Sequence, residues 1–168
     1  MKRIAVILLL SGVCLTPSFA QSGVYMKLGD IRGEILDGTY KGWIQLESLD
    51  TEWSHPEEAV IGSTRHRGRV IVGDIVVSKT VDASTPQLMK YAATGANIPA
   101  GAVVVVKGGL PILRYDLRNV LVDAYTIGTN GDESLEEIAF RFDEILVTYL
   151  PESQSPLSNS FQWTLSER

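Results

Sequence analysis

The two longest apolar stretches of the sequence each change phase halfway along, and this limits the fold more than any motif does. In residues 111–126, Leu113, Tyr115 and Leu117 fall on one parity and Val120, Val122 and Ala124 on the other, with the slip at Arg118-Asn119. Further on, Ile138, Phe140 and Phe142 share a parity, and Ile145, Val147 and Tyr149 share the opposite one, with the slip at Asp143-Glu144. A one-residue slip sends every later side chain to the other face of a strand, and a bulge repairs it by adding a residue and bending the strand. Two long strands bent in this way suit a strongly curved sheet such as a small barrel. Residues 128–133, with Asn130-Gly131, form the turn between them.

The rest of the chain reads the same way. A first strand covers Val24–Ile31 and is interrupted at Gly29-Asp30, and a second covers Trp43–Trp53. Residues 54–66, with His55-Pro56 and Gly62, read as a long polar loop. Val70 to Val81 is rich in β-branched residues that suit a pleated surface, and Gly73-Asp74 within it marks a bulge or a close backbone approach. Asn97–Gly101 reads as a loop around Pro99. Ala102–Lys107, with four consecutive valines, reads as a strand buried on both faces, followed by a tight turn at Gly108-Gly109. Phe161, Trp163 and Leu165 alternate as a last strand would.

Only one substantial helix is expected. Thr85 is placed to cap it, Pro86 suits its first turn, and Gly95 suits a left-handed residue at its end. Leu88, Tyr91 and Ala92 share a face, and a helix this short needs a sheet to pack on. The expected fold is therefore mainly β: a small antiparallel β-barrel of two curved sheets with one short flanking α-helix.

Met1 to Ala20 has the layout of a secretory signal. Lys2-Arg3 precede an apolar run from Ile4 to Leu15, and Ser18-Phe19-Ala20 gives small residues at −3 and −1. At roughly 18 Å as a helix, the run falls short of the about 30 Å hydrocarbon core. Cleavage after Ala20 is expected, leaving residues 21–168 as one domain with no stable membrane anchor. Cleavage would remove Cys14, the single cysteine, and with it any disulfide or thiol chemistry. It would also remove Lys2 and Arg3, taking the formal net charge from −5 to −7. An acidic chain of this kind argues against nucleic acid as the main partner.

Catalytic and metal-binding patterns are missing. The only histidines, His55 and His66, lie in one polar loop with no ligand spacing. No nucleophile elbow is present, and no serine has a placed base. Asp132-Glu133 and Glu136-Glu137 lack the spacing of a calcium loop and read as a solvated turn. Trp43, Trp53 and Trp163 read as core or interface aromatics. The sequence implies no enzyme, no metal and no cofactor. The cluster Arg65, His66, Arg67 and Arg69 stands out in an acidic chain. It reads either as a contact to an acidic neighbouring subunit or other anionic partner, or as a charged guard on a strand edge.

With these elements in this order, the chain resembles the Hcp family, the haemolysin-coregulated tube proteins of the type VI secretion system. The resemblance rests on Tyr25–Glu34, Gly42–Ser48, Arg67–Ile75, Lys79–Leu88, Val120–Val122 and Phe140–Pro151, with Trp163 resembling a tryptophan near the family's C-terminus. It implies a barrel that assembles into a hexameric ring with a wide lumen. Stacked rings form a tube expelled with secretion-spike proteins and, in some cases, with small effector proteins in the lumen. No catalytic residue carries over from the family. Asp50 falls near a position that faces the lumen in family members. Residues 54–66 resemble the extended loop that touches the neighbouring ring, which makes His55, Arg65, His66 and Arg67 candidates for contacts between rings or subunits. Ordinary members carry no leader, whereas the signal here implies a secreted or periplasmic location. A monomeric exported binding module on the same barrel is the alternative expectation.

Overall fold

The computed structural model describes residues 22–36, 38–54, 70–150 and 159–165. The leader with Cys14, the basic cluster and both histidines lie outside the described residues.

The strands are β1 (Gly23–Leu28), β2 (Ile44–Leu46), β3 (Ser48–Ser54), β4 (Ile71–Thr80), β5 (Ile98–Lys107), β6 (Leu110–Asn130), β7 (Glu133–Arg141), β8 (Glu144–Tyr149) and β9 (Asn159–Thr164). The helix α1 (Thr85–Thr94) lies between β4 and β5. All strand pairing is antiparallel, in the order β2-β1-β5-β6-β7-β4-β3, and β8 joins β6 to β9. The two ends of that path, β2 and β3, are successive pieces of chain separated only by Glu47. The Glu47 N–H donates to the Ser78 carbonyl at 2.8 Å. One bent strand thus pairs with β1 in its first half and with β4 in its second, and the sheet closes on itself.

The opposite corner is where the phase slips fall. Arg118 pairs with Glu144 and Leu121 with Arg141, so the residues between them on the two strands are equal in number. The slips at Arg118-Asn119 and Asp143-Glu144 therefore lie opposite each other. Neither is a bulge against its neighbour; both strands turn the corner together, and Asn119 takes a positive φ of 51° to do so. The Asn119 amide Nδ2 donates to Asp143 Oδ2 at 2.9 Å, and the Asp143 N–H donates to the Arg118 carbonyl at 3.0 Å. The true extra residue comes later, between Val122 and Ala124. It flips the phase again, so Tyr125 turns toward the core and Ala124 is exposed, contrary to the parity expected from the sequence. At Gly73-Asp74 the expected bulge is present: the β3–β4 register shifts between Thr51 and Trp53.

The valine run is buried on both faces, as expected. Val103 joins the main core with Met26, Ile44, Ile75, Leu117, Val120, Ile138, Phe140 and Ile145. Val104 and Val106 face outward but are covered, with Tyr25, by Ile35, Tyr40 and Trp43 from the connection between β1 and β2. Tyr40 stacks on Tyr25 at 4.6 Å between ring centroids and meets Trp43 edge-on at 5.3 Å. That connection folds back tightly at Gly33, where a Cβ would sit 2.0 Å from the Trp43 carbonyl oxygen, so only glycine fits. Gly108 and Gly109 both take positive φ, 59° and 80°, forming the two-residue hairpin turn that joins β5 to β6.

Two expectations for local structure need correction. Residues 97–101 are largely strand, because β5 begins at Ile98. Pro99 lies where β5 passes Asn119, which already departs from regular strand geometry. Thr85 does not cap α1; the cap residue is Ser84, and its side chain makes no capping hydrogen bond. Pro86 in the first turn and Gly95 at φ 60°, with its N–H donating to the Tyr91 carbonyl, match the sequence reading. Leu88 is fully buried, and Tyr91 and Ala92 pack beside it on the core.

Candidate assembly surface

Thr85 is drawn away from capping by a buried polar knot. Lys79 on β4 and Glu136 on β7 are paired in register and are both 0% exposed. Lys79 Nζ lies 3.0 Å from Glu136 Oε2 and 2.8 Å from Asp82 Oδ1, and donates to the Thr80 carbonyl at 2.7 Å. The ammonium's three donors are thereby satisfied. Thr85 Oγ1 donates to Glu136 Oε1 and accepts from the Asp82 N–H at 3.1 Å. Asp82 Oδ1 also accepts from the Ser84 N–H at 2.8 Å. The Tyr125 hydroxyl is buried beside Glu136. Burial first, then the Glu136 charge, raises its pKa to about 12. The knot ties two strands to the start of the helix. Glu136 is thus no part of a solvated turn, as the sequence reading had it, whereas Asp132 and Glu133 are exposed. The sequence held a signal for it: Lys79 continues the inward parity of Ile75 and Val77, and Glu136 that of Ile138 and Phe140.

The outer face of β3, β4, β7 and β6 is low in relief. One row across it reads Asp50, Val76, Ala139, Ala124, and the next reads Ser48, Ser78, Glu137, Thr126. Ser48 Oγ and Ser78 Oγ are 2.8 Å apart, and Ser48 Oγ donates to Asp50 Oδ2 at 3.4 Å. Asp50 is exposed. Beyond this row, Arg141 Nη2 pairs with Asp123 Oδ1 at 2.8 Å, and Arg141 Nε lies 3.8 Å from Asp74 Oδ1. Ala124, Ala139, Ser48 and Ser78 are the small side chains of these two rows.

Ser54 and Ile71 are register partners, so the segment carrying His55, Arg65, His66 and Arg67 leaves and re-enters the barrel at one place. Those four residues are outside the described residues. Nearby, Trp53 meets Phe161 and Trp163 edge-on at 5.6 and 6.4 Å. The three rings sit where β3 comes close to β9. Among the described residues, no group of three His, Cys, Asp or Glu side chains could hold a metal. Among them, too, no helix is long and apolar enough to cross a membrane.

The described residues form an antiparallel β-barrel with one flanking helix. Residues 25–149 match the family model described as the type VI secretion system effector Hcp, and the chain belongs to that family. The chain is similar to the protein Hcp1 of Pseudomonas aeruginosa, with 28% identity over 135 residues, spanning 77% of this chain and 83% of that protein. In fold it is similar to crystal structures of Hcp1 from Salmonella typhimurium (TM-score 0.71, 24% identity, 86% of this chain and 96% of that one) and of a type VI secretion system effector from Yersinia pestis (TM-score 0.68, 20% identity, 84% and 98%). Membership makes the chain a non-enzymatic structural protein of type VI secretion, and proteins of this family are secreted by that system.

Proposed function

We propose that this chain is one subunit of a closed homo-oligomeric ring, hexameric as is typical of the family, that stacks into a secretion tube. The observation that carries this reading is the family match across nearly the whole barrel. In the assembled ring, the shallow face bearing Asp50 lines the lumen, where small effector proteins travel, and the tube leaves with secretion-spike proteins. The segment with His55, Arg65, His66 and Arg67 supplies contacts between rings or subunits. The leader is cleaved after Ala20, which makes the protein a secreted or periplasmic form of the family.

Size-exclusion chromatography with light scattering, followed by negative-stain imaging, tests the ring. The expected result is a single species of about six subunits with a central hole; a strict monomer at high concentration would overturn it. N-terminal sequencing of the fractionated protein tests the leader, since an intact Met1 in the cytoplasm would remove it. The leader itself favours a second reading, a monomeric exported binding module, and the same light-scattering measurement separates the two.

A further inference from the structure

A cavity of about 280 Å³ lies between α1 and the turn that follows β1. Small-molecule sites begin at roughly this size, about 300 Å³. One wall is Asp30 and Ile31; the other is Gln87, Lys90 and Tyr91 on α1, with Ala96 just past the helix end. Spacings of three and four residues put Gln87, Lys90 and Tyr91 on one helix face. The turn opposite is pinned by three hydrogen bonds. The Ile31 N–H donates to the Leu28 carbonyl at 2.9 Å, Lys27 Nζ to the Ile31 carbonyl at 3.2 Å, and the Gly29 N–H to the Ala100 carbonyl at 2.9 Å. The last of these holds the turn beside the chain leaving the helix, so Asp30 stands toward the C-terminal end of α1.

The charges of this cavity are not used by the fold. Among the described residues, Asp30 and Lys90 enter no ion pair, although they stand on facing walls. The helix adds to the same polarity. Its C-terminal end carries partial negative charge, and no basic side chain lies in its last turn to offset it. One pole, Asp30 with the helix end, suits an ammonium group. The other, Lys90 with the Gln87 amide, suits a carboxylate. Between them lie Ile31, 2% exposed, and the half-buried Tyr91 ring, which offer apolar surface. We propose that the cavity binds a free α-amino acid with a short apolar side chain, its ammonium toward Asp30 and its carboxylate toward Lys90. Each copy of the chain carries the whole site, so binding does not depend on the ring proposed above.

Isothermal titration calorimetry on the full chain, with L-leucine as the probe, tests the site. The expected result is one site per chain with a dissociation constant of about 1 mM or tighter. 3-Methylbutylamine and 4-methylpentanoate keep the apolar side chain and lose one charge each, and neither should give saturable heat. Asp30→Asn and Lys90→Met should each weaken leucine binding about tenfold or more, as loss of a charge-assisted hydrogen bond does. Thermal melts of both variants should match the parent, because both side chains are exposed. No saturable heat from leucine would overturn the proposal. Equally tight binding of either single-charge probe would also overturn it, since the site would then read one charge only. So would undiminished leucine binding in either variant, which would place the ligand elsewhere.

Discussion

Two ion pairs of similar length behave in opposite ways. Lys79–Glu136, at 3.0 Å, is sealed inside the barrel, while Arg141–Asp123, at 2.8 Å, lies on the outer face with Arg141 45% exposed. The outer pair competes with water and gains little from closing. The inner pair has lost its water, so each member depends on the other and on Asp82, Thr80 and Thr85. Similar distances thus hide very different consequences for removing one partner. Both pairs join neighbouring strands, but through Thr85 the knot around the inner pair also reaches the start of α1.

The largest break in this comparison is Lys79→Met, which strands Glu136 in the core. We expect a loss of about 3–5 kcal/mol of stability, read as a lower denaturant midpoint. Adding Glu136→Leu to the same chain should recover most of that loss; no recovery would show that the knot acts through Thr85 and Asp82 rather than through the pair. Leu88→Ala asks whether the helix is held by its apolar face as well as by the knot. Truncation of this fully buried side chain should cost about 2–5 kcal/mol, and a thermal melt unchanged by it would leave the knot as the helix's sole anchor. By contrast, Arg141→Ala should cost less than about 1 kcal/mol, and a larger loss would mean that the outer pair is covered in the folded assembly.

The smallest effect is one of pH. Tyr125 has a folded pKa of about 12 against an ordinary value of 10.0, so the folded state holds its proton longer than the unfolded chain does. Its contribution is intact below pH 10 and is lost as the pH rises toward 12. Stability should therefore fall faster across that window in the parent chain than in Tyr125→Phe, and chemical melts at pH 9 to 11.5 would show the difference. Equal slopes would mean that neither burial nor the Glu136 charge holds the Tyr125 proton in the folded state.

The sequence allowed the curved sheet, the single helix, the helix's Pro86 and Gly95, and the Gly108-Gly109 turn to be read directly. Each of these depends on local chemistry: parity, fixed φ or left-handed backbone. The knot was written in the parity of Lys79 and Glu136, but only the adjacency of β4 and β7 turns two inward charges into a pair. Thr85 was misread for the same reason, since its hydroxyl serves a carboxylate 51 positions away rather than its own helix. Likewise, the slips at Arg118-Asn119 and Asp143-Glu144 were visible one at a time, whereas their lying opposite each other depends on register. Asp50 is exposed on the barrel's outer face, and the four residues in the polar segment lie outside what the structure describes.

The closed path also sets an order in time. From β5 to β8, β6 pairs with β5 just before it and β7 and β8 then fold back in turn on β6, so residues 98–149 can form as nested hairpins with short loops. β1 must instead wait for Gly101 to Val106, and β4 must wait for Leu135 to Phe140. Such distant partners are slow to meet, because the intervening chain has to be confined before any contact rewards it. The barrel therefore closes last at Glu47 and Ser78, and until that moment a newly made chain carries more unpaired strand edges than the folded one.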